Sequence, residues 1–396
     1  MDRGTVSGFS IRSGYARFPE KGGGVRLEYA SDQDAEISLN VITDCVAYDN
    51  GGGIAAAWPG ENGIRVIRDN IVTHNWAWAG GGMSVIGSIV VNNVISSNEV
   101  GYYGTNPHGG GIVAGARAVI RDNLIIGNYS DEWAGGVLAT DDVIVENNLI
   151  ADNECFFLGG GVWGEQDVTI RNNTIVGNSI VLSADGGGGV VAFIRTRVLG
   201  NTIVGNSAPR YGGNVLAEQD STVFGNIIAF SAMGEGFYTR GRAVGDYNCV
   251  FGNVGGDYRE GREPGEHDIN ADPLFMDALG ADGIPWTEDD NLRLTPDSPC
   301  INTGDPDYVP AEDETDLDGH ARILCDRVDI GAYEFGIGDY DCDRDVDVFD
   351  YEQWLTCFTG PDNPPYAPGC EAFDFDGDLD VDFADFGGFL LALTGG

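Results

Sequence analysis

The stretch Asp167-Val-Thr-Ile-Arg-Asn-Asn-Thr-Ile-Val-Gly-Asn178 is the unit from which most of the chain is built. Aligned copies share two Asn columns five residues apart, aliphatic residues around the first column, and glycine runs that open the units 24 to 29 residues apart. Internal repetition at this period predicts a solenoid. The first column is Asn70, Asn93, Asn123, Asn148, Asn173, Asn201, Asn226 and Asn248. The second column is Asn75, Asn98, Asn128, Asn153, Asn178, Asn206, Ser231 and Asn253.

The aliphatic columns indicate which solenoid this is. Their residues are β-branched and spaced by two at the turns, which favours short strands over helices. Parallel strands of successive coils stack about 4.8 Å apart, so each column becomes a ladder of like side chains. We therefore predict an all-β fold, a right-handed parallel β-helix solenoid over residues 1–255. A leucine-rich repeat would instead show a Leu-rich consensus and helical segments, and the sequence has neither.

Composition limits the partners. The formal net charge is -42 and Lys21 is the single lysine, so nucleic acid and anionic membranes are excluded as partners and divalent cations are favoured. Eight cysteines favour an oxidising compartment, with Cys357–Cys370 and Cys300–Cys325 as predicted disulfides and free buried thiols as the alternative. The chain has no apolar run long enough for a transmembrane segment.

The beginning of the chain carries a separate expectation. Met1 is not followed by the basic and then apolar segment of a signal peptide. Val6 and Ile11 fall in the register of the two aliphatic columns, so the chain begins within a coil. We expect an extracellular or cell-surface protein whose signal peptide and capping segment lie upstream of this sequence.

The repeat stops near Gly255, and Asp, Pro and Gly then become frequent. The segment contains Ala271-Asp-Pro-Leu-Phe275, Asp297-Ser-Pro-Cys-Ile-Asn-Thr-Gly304 and Asp329-Ile-Gly-Ala-Tyr-Glu334. These runs resemble the closing region of bacterial surface and secreted β-helix proteins of the choice-of-anchor type. The resemblance implies that residues 256–336 finish the helix with irregular coils and cover its open end. Within them, Glu288, Asp289 and Asp290 either hold a cation or form a solvated turn.

Residues 337–396 contain two acidic loops 35 residues apart. In each loop, Asp occupies positions 1, 3, 5, 9 and 12 of a calcium loop, and the carbonyl of an Asp is expected at position 7. The predicted metal ligands are Asp339, Asp341, Asp343, Asp345, Asp347 and Asp350 in the first loop and Asp374, Asp376, Asp378, Asp380, Asp382 and Asp385 in the second.

Apolar helical runs follow each loop, at 351–358 and 386–393. Two such loop-and-helix units resemble a dockerin, a small EF-hand-like module, which implies two Ca²⁺ ions and docking onto a cohesin-like partner. Val348, Phe349, Phe383 and Ala384 stand where dockerins contact their partner, although they could equally pack the two units together. Position 6, normally Gly, is Arg344 in the first loop and Leu379 in the second, which is expected to weaken calcium affinity.

The loops that follow the second Asn column lie along one edge of the solenoid. Aromatic residues repeated on this edge would form platforms for sugar rings, or they would cover the coils beneath them. The predicted substrate-binding residues are Trp76, Trp78, Tyr102, Tyr103, Trp133, Phe157 and Tyr211. The weaker catalytic candidates on the same edge are Asp131, Glu132, Glu154, Asp185, His108 and Arg210, each of which could also be a solvated loop residue.

The family of β-helix proteins includes polysaccharide lyases, glycoside hydrolases, tailspikes and adhesins, so fold alone does not decide the function. The sequence lacks the motifs of pectin hydrolases and of pectate lyases. We therefore expect a secreted protein that binds a polysaccharide or surface glycan and is tethered through the dockerin-like module. A noncatalytic adhesin or spacer and a lyase or hydrolase remain the alternatives. Two carboxylates about 5 to 10 Å apart in a cleft on the loop edge would favour a glycosidase.

Overall fold

The computed structural model describes residues 4–28, 34–60, 63–101, 108–182, 186–260, 262–312, 314–361, 366–367 and 370–393. From Gly4 to Phe251 the chain winds into a parallel β-helix, as predicted. Successive coils contribute strands to four parallel sheets, which we name A to D in their order along a coil. The helices in the described residues are two short α-helices and one 3-10 turn near the C-terminal end.

The strands of each sheet are as follows. Sheet A comprises Gly4–Ser7, Ala35–Ser38, Arg65–Arg68, Ile89–Val91, Val119–Arg121, Ile144–Glu146, Thr169–Arg171, Arg197–Leu199, Thr222–Phe224 and Val244–Asp246. Sheet B comprises Ser10–Arg12, Val41–Thr43, Ile71–Thr73, Val94–Ser96, Leu124–Ile126, Leu149–Ala151, Thr174–Val176, Thr202–Val204, Ile227–Ala229 and Cys249–Phe251. Sheet C comprises Tyr15–Ala16, Val46–Asn50, Trp76–Ala79, Glu99–Val100, Tyr129–Ser130, Glu154–Cys155 and Ser179–Ile180. Sheet D comprises Val25–Leu27, Ile54–Ala56, Met83–Ile86, Ile112–Gly115, Val137–Ala139, Val162–Gln166, Val190–Ile194, Val215–Ala217 and Phe237–Thr239.

The aliphatic columns form the core of the solenoid. The middle residue of a strand in sheets A and B points inward, and the parallel register places like residues above one another, for example Ile120 beside Val145. The expected register of the first coil is confirmed, because Val6 pairs with Ile37 and Ile11 pairs with Ile42. Stacking in register buries each aliphatic side chain between its equivalents in the coils above and below.

Both Asn columns form hydrogen-bonded ladders inside the turns. Asn148 illustrates the pattern: its Oδ1 accepts from the backbone N–H and the side chain of Asn123, and its Nδ2 donates to Asn173 Oδ1 at 2.9 Å. Its Nδ2 also donates to the carbonyls of Ile120 and Glu146. These bonds satisfy buried backbone groups that the turns would otherwise leave unpaired.

The second ladder differs from the predicted column at one coil. Asn214, which follows a glycine run, takes the place assigned to Ser231. Its Oδ1 accepts from Asn206 at 3.0 Å and its Nδ2 donates to Asn253 at 2.9 Å, whereas Ser231 donates only its backbone N–H to Asn253. Serine is too short to span two coils, so an Asn from elsewhere in the coil continues the ladder.

The glycine runs form the bend that leads into sheet D. Gly109 opens one run with a φ of +65°, a conformation that side chains with a Cβ rarely adopt. A Cβ on the next residue, Gly110, would lie 2.5 Å from the carbonyl oxygens of both Gly135 and Tyr129. Glycine is therefore required at this bend because the backbones of successive coils stack directly on one another.

Residues 257–271 add one irregular turn to the solenoid. Tyr258 pairs with Phe237 of sheet D, and Ile269 pairs with Cys249 of sheet B. Each Asn ladder ends on an aspartate here, because Asn248 donates to Asp268 and Asn253 donates to Asp257. These residues occupy the end of the stack of coils.

Residues 272–335, which we call the closing segment, lie along the side of the solenoid and not across its end. An antiparallel hairpin of Phe275–Asp277 and Asn291–Leu294 begins it. Its apolar residues Leu292, Leu294 and Ile330 pack in one cluster with the outward residues of sheet B. This placement differs from the expected end cap, and its reason is that sheet B of these coils has an aliphatic outer face that must be buried.

Polar contacts fix the closing segment to coils far back along the chain. Asn147 donates to Thr315 Oγ1 and to the Asp316 carbonyl. Arg171 forms an ion pair with Glu314 of the closing segment at 2.7 Å and another with Glu146 of the neighbouring coil at 2.6 Å. Within the segment, the buried Arg322 guanidinium lies 2.9 Å from Glu334. The segment thus ties several coils together.

The C-terminal module contains the helices Val348–Cys357 and Phe383–Ala392 and the 3-10 turn Glu371–Phe373. Both helices begin three residues before the predicted apolar runs, because Asp347 and Asp382 cap them and Asp350 and Asp385 complete the capping boxes. Trp354, Phe373 and Phe389 form the core of the module. Neither helix of the described residues is long and apolar enough to span a bilayer.

One of the two predicted disulfides is confirmed. Cys357 and Cys370 are bonded within the module. The predicted Cys300–Cys325 pair is wrong, because Cys325 bonds to Cys342 and joins the closing segment to the first acidic loop. Cys300 is a buried thiol in the core beside sheet B, whereas Cys325 is only partly buried. The two cysteines therefore lie in different environments of the same segment.

Candidate functional site

The outer face of sheet C carries a column of polar and aromatic side chains. Parallel register aligns Trp76, Glu99, Tyr129, Glu154 and Ser179 on successive strands. The residue after each of the first four is fully or almost fully buried, so these side chains point outward. Every member of the column directly follows the second Asn column in the sequence.

Tyr129 lies at the centre of this column. Its hydroxyl donates to Asp131 Oδ1 at 2.9 Å, and its ring meets Phe156 edge-on at 5.8 Å between centroids. Burial and the carboxylates of Asp131, Glu154 and Glu99 raise the pKa of Tyr129 far above its usual value. The hydroxyl therefore stays protonated and is a hydrogen-bond donor throughout the physiological range.

Two of the predicted catalytic carboxylates, Asp131 and Glu154, lie close to Tyr129. Asp131 and Glu154 approach it directly, and Glu132 follows Asp131 with a pKa that is raised by burial and by the Asp131 charge. Glu99, which was not among the predicted site residues, lies on the other side of Tyr129. Two strand spacings separate Glu99 from Glu154, or about 9–10 Å between backbones. Glu99 is exposed on the face of the sheet.

The other catalytic candidates lie elsewhere. His108 pairs in register with Ala79 and Trp133, and its ring stacks on Trp133 at 4.5 Å, above the outer face of sheet D. Arg210 is exposed and lies 5.0 Å from the Tyr211 ring. Neither contact belongs to the Tyr129 cluster. Asp185 lies outside the described residues, as do Tyr102 and Tyr103.

The first coils present a continuous aromatic surface on the same edge. Tyr48 contacts Tyr15 at 5.6 Å, Trp76 at 5.5 Å and Trp78 at 6.1 Å, and Phe18 contacts Trp78 at 5.6 Å. Trp76 and Trp78 are half-buried in this group, whereas Tyr15 is 58% exposed and Phe18 is 65% exposed. We call these five residues the aromatic surface. Its open rings are those of Tyr15 and Phe18.

The later aromatic residues cover the coils beneath them. Trp133 packs between the His108 ring and Trp163, a buried residue on the outer face of sheet D. Tyr211 stacks with Tyr238 at 4.6 Å, and the guanidinium of Arg240 lies 4.9 Å from the Tyr211 ring. Phe157 is half-buried beside Phe156. The ring faces of Trp133 and Tyr211 are therefore already in contact with neighbouring groups, whereas Phe157 meets Phe156 edge-on.

In the C-terminal module, the acidic loops bring several of the predicted carboxylates together. Oxygens of Asp339, Asp341 and Asp350 lie within 4.8 Å of one another in the first loop, and those of Asp374, Asp376 and Asp385 do so in the second. Two further groups share the position-12 carboxylate: Asp345 and Asp347 with Asp350, and Asp380 and Asp382 with Asp385. The side chains at position 7 therefore converge as well, where only the carbonyl was expected.

The position-5 residues have a different role. Asp343 Oδ1 accepts the backbone N–H of Asp345, and Asp378 Oδ1 accepts that of Asp380. They shape the loop turn, and neither belongs to a converging group among the described residues. Position 6 adopts a positive φ in both loops, +77° at Arg344 and +70° at Leu379, which is the conformation that normally selects Gly.

The converging carboxylates have an electrostatic environment that fits a cation. Burial, followed by like-charge neighbours such as Asp350, raises the pKa of Asp339 to about 6. The pKa of Asp374 is also raised, again by burial and by Asp385. Carboxylates that repel one another in a partly buried loop are stabilised when a hard cation such as Ca²⁺ lies among them.

The predicted partner-contact residues of the module are exposed. Val348 is 60% exposed, Phe349 is 65% exposed and Phe383 is 74% exposed, and Ala384 is exposed beside it. They stand in the first turns of the two helices. Large apolar side chains that remain this exposed in adjacent helices indicate an interaction surface.

The acidic group at 288–290 forms a turn. Asp289 Oδ2 accepts the backbone N–H groups of Ala281 and Asp282, and Asp290 Oδ2 accepts those of Trp286 and Thr287. These carboxylates hold the hairpin loop, which agrees with the second interpretation of the sequence.

One family model agrees with the fold. The family described as right handed beta helix region matches residues 23–208. No protein of curated function matches the chain. A structure described as the complex of XylC with xylose is 14% identical with a TM-score of 0.39, covering 70% of this chain and 55% of that one. The Dettilon tailspike protein (gp208) is 15% identical with a TM-score of 0.35, covering 68% of this chain and 61% of its own. At this level of similarity, neither protein's ligand is evidence about this chain.

Proposed function

We propose that the protein is a secreted polysaccharide-binding β-helix, anchored through a calcium-loaded module to a protein partner. The aromatic surface carries the proposal. Its exposed rings, Tyr15 and Phe18, are backed by Tyr48 and Trp78, so they offer apolar faces that are held in place. Sugar rings present C–H faces that stack on such rings.

The outer column of sheet C continues the same surface with hydrogen-bonding groups. Glu99, Tyr129 and Glu154 follow Trp76 along the axis of the solenoid, one strand spacing apart. A glycan chain lying along this axis would meet aromatic faces first and then carboxylates that accept from its hydroxyl groups. The net charge of -42 would repel uronate-rich chains, so the proposed ligand is a neutral polysaccharide.

A glycan array with the full chain tests this proposal. The double variant Tyr15→Ala/Phe18→Ala is expected to reduce binding to neutral glycans at least tenfold with little change in melting temperature, because both side chains are exposed. Trp133→Ala is the matched control, since it removes a packed ring and should lower the melting temperature while preserving binding. Unchanged binding by the double variant would refute the aromatic surface as the site.

A hydrolase is the second candidate, because Glu99 and Glu154 flank Tyr129. Inverting glycosidases place their two carboxyl groups about 6.5–9.5 Å apart, near the strand-based separation of these residues. Product analysis of neutral polysaccharides with wild type, Glu99→Gln and Glu154→Gln distinguishes the two functions. Release of oligosaccharides that both variants abolish would establish catalysis, and binding without release would establish an adhesin or spacer.

For the module, we propose one Ca²⁺ in each acidic loop. Asp339, Asp341 and Asp350 would hold the first ion, Asp374, Asp376 and Asp385 the second, and the position-7 and position-9 aspartates would complete each site. Burial, followed by repulsion from like charges, raises the pKa of Asp339 and Asp374, and a bound Ca²⁺ would offset both effects. Isothermal titration of the calcium-stripped chain should show two sites. Asp339→Asn and Asp374→Asn should each remove one of them, and retention of both sites in either variant would contradict the assignment.

The exposed residues Val348, Phe349, Phe383 and Ala384 form the proposed contact with a cohesin-like partner. Both native disulfides favour an oxidising compartment and therefore an extracellular or cell-surface location. Phe349→Ala/Phe383→Ala should abolish calcium-dependent capture by a panel of cohesin domains while calcium binding persists. Glu352→Ala, an exposed change on the same helix, is the matched control. Capture that is equal in both variants would overturn this surface.

A further inference from the structure

Two buried thiols meet where the closing segment packs on the solenoid. Cys249 begins the last strand of sheet B, and Cys300 follows the hairpin of the closing segment. Both side chains are 0% exposed and belong to one core cluster, together with Ile227, Leu294 and Ile330. They are separated by 51 residues in the sequence, so their contact belongs to the tertiary fold.

The backbone around both cysteines is held by the same short stretch of chain. Cys249 Sγ lies 3.2 Å from the Ala271 carbonyl oxygen. The Cys300 N–H donates to Ser298 Oγ at 3.2 Å, and that hydroxyl donates to the Pro273 carbonyl at 2.6 Å. Ala271 and Pro273 stand two residues apart, so both cysteines are tethered to the same stretch of chain within one buried cluster. Two independent sets of bonds therefore hold Cys249 and Cys300 side by side.

The remaining free thiols have a different arrangement. Cys45 lies 3.3 Å from the Thr43 carbonyl and Cys155 lies 3.3 Å from the Leu158 carbonyl, each within its own coil of the solenoid. Cys45 occupies a position of the second Asn column, where it fills space between coils. These two residues are single buried thiols and serve as internal references for Cys249 and Cys300.

We propose that Cys249 and Cys300 form a third disulfide, which fastens the closing segment to the last strand of sheet B. It would complete a series in which Cys325–Cys342 joins the closing segment to the module and Cys357–Cys370 closes the module. Each junction between successive parts of the chain would then carry a covalent bond.

The oxidation needs a thiol-reactive disulfide as the electron acceptor. One thiolate attacks that disulfide and releases a thiol, and the second cysteine then attacks the mixed disulfide and releases another. Cys249 and Cys300 lose two protons and two electrons and gain one S–S bond, while the acceptor is reduced to two thiols. The bond must form before the cluster closes, because both sulfurs are buried in the folded chain.

Peptide mapping of the full chain tests the proposal. The chain is refolded in oxidised and reduced glutathione, unfolded with iodoacetamide and digested without reduction. The expected result is alkylation of Cys45 and Cys155 alone, with a linked peptide pair containing Cys249 and Cys300. Alkylation of both Cys249 and Cys300, or a link from either to another cysteine, would overturn it.

A stability measurement gives a second readout. Wild type and Cys249→Ser/Cys300→Ser are compared in the oxidised state, with Cys155→Ser as the control for loss of a buried thiol. Closing a loop of this length is expected to raise the melting temperature by roughly 5–10 °C relative to the double variant. A double variant that melts with wild type would contradict the cross-link. The mapping result holds even if the double variant does not fold, and neither measurement depends on glycan binding.

Discussion

The solenoid and the C-terminal module are stabilised in opposite ways. In the solenoid, Asn148 makes the same hydrogen bonds as its equivalents in neighbouring coils, and Ile150 is buried among its equivalents in the same way. In the module, a small core around Trp354 and Phe389 is supplemented by a disulfide and two acidic loops. A periodic sequence can spread stability over many equal contacts, whereas a short segment depends on a few distinct ones.

Calcium removal should separate the two regions most clearly. Without the ion, the clustered aspartates of both loops repel one another, so we expect the module to lose its helices while the solenoid persists. Hydrogen exchange with and without a chelator should show lost protection within residues 339–392 and unchanged protection within sheets A and B. Equal loss in both regions would mean that they form one cooperative unit.

Breaking one rung of an Asn ladder should show how much a single repeat contributes. Asn148→Ala leaves the Asn123 N–H and the carbonyls of Ile120 and Glu146 without their partner, at a cost of about 3–5 kcal/mol in the free energy of unfolding. Unfolding by denaturant measures this change in the free energy of unfolding. Arg121→Ala, an exposed change on sheet A, should cost below about 0.5 kcal/mol. Similar values for both variants would show that the ladder is dispensable.

The ion pair between the solenoid and the closing segment tests whether that segment behaves as part of the repeat. Arg171→Met removes the cation that pairs with Glu314, whose carboxylate is almost completely buried. We expect the free energy of unfolding to fall by about 2–3 kcal/mol. Limited proteolysis should then cut first within the closing segment. Cleavage that begins in the coils would instead place the weakest point in the solenoid.

The same junction should respond to acid. Burial tends to raise the pKa of Glu314. Two influences outweigh burial and lower this pKa: hydrogen bonds donated by Tyr308, the Ala311 N–H and Asn172, and the positive charge of Arg171. Because the folded-state pKa lies below the unfolded value of about 4.3, this stabilisation is complete above pH 5 and is lost as pH falls through the folded pKa. The stability difference between wild type and Glu314→Gln should therefore shrink below about pH 4. A difference independent of pH would refute a titrating Glu314.

The smallest expected effect is in the second acidic loop, where a Ca²⁺ ion is proposed. Leu379 has a positive φ that costs a residue with a Cβ about 1 kcal/mol, so Leu379→Gly should bind Ca²⁺ about two- to fivefold more tightly. Leu379→Ala removes the same side chain and keeps the strain, and it should not improve affinity. Calcium titration of the two variants separates strain from side-chain size.

The sequence was sufficient where the structure is periodic. The two Asn columns, the aliphatic columns and the paired aspartate loops were all predicted, because each residue could be aligned with copies of itself. Asn214 was missed because it reaches the ladder from a different part of its coil. Glu99 could have been found, because it follows the second Asn column at the same position as Trp76 and Tyr129.

Contacts that do not repeat from coil to coil could not be predicted by aligning the repeats with one another. Asn147 meets Thr315 across 168 residues, and no repeat indicates that the closing segment returns to sheet B. The disulfide error has the same origin, since the partner of Cys325 lies in the next part of the chain. Ring exposure also depends on neighbours, so the predicted binding residues included Trp133, which is packed, and missed Tyr15, which is open.

The aspartates that end the Asn ladders have a consequence for assembly. Every Asn passes a hydrogen bond forward by donating to the next coil, whereas Asp257 and Asp268 accept from the last coil and, as carboxylates, have no proton to donate onward. The two hydrogen-bonded ladders therefore end at these aspartates. A further coil stacked on this end, whether from the same chain or from a second molecule, could not continue either ladder by accepting a hydrogen bond from these carboxylates.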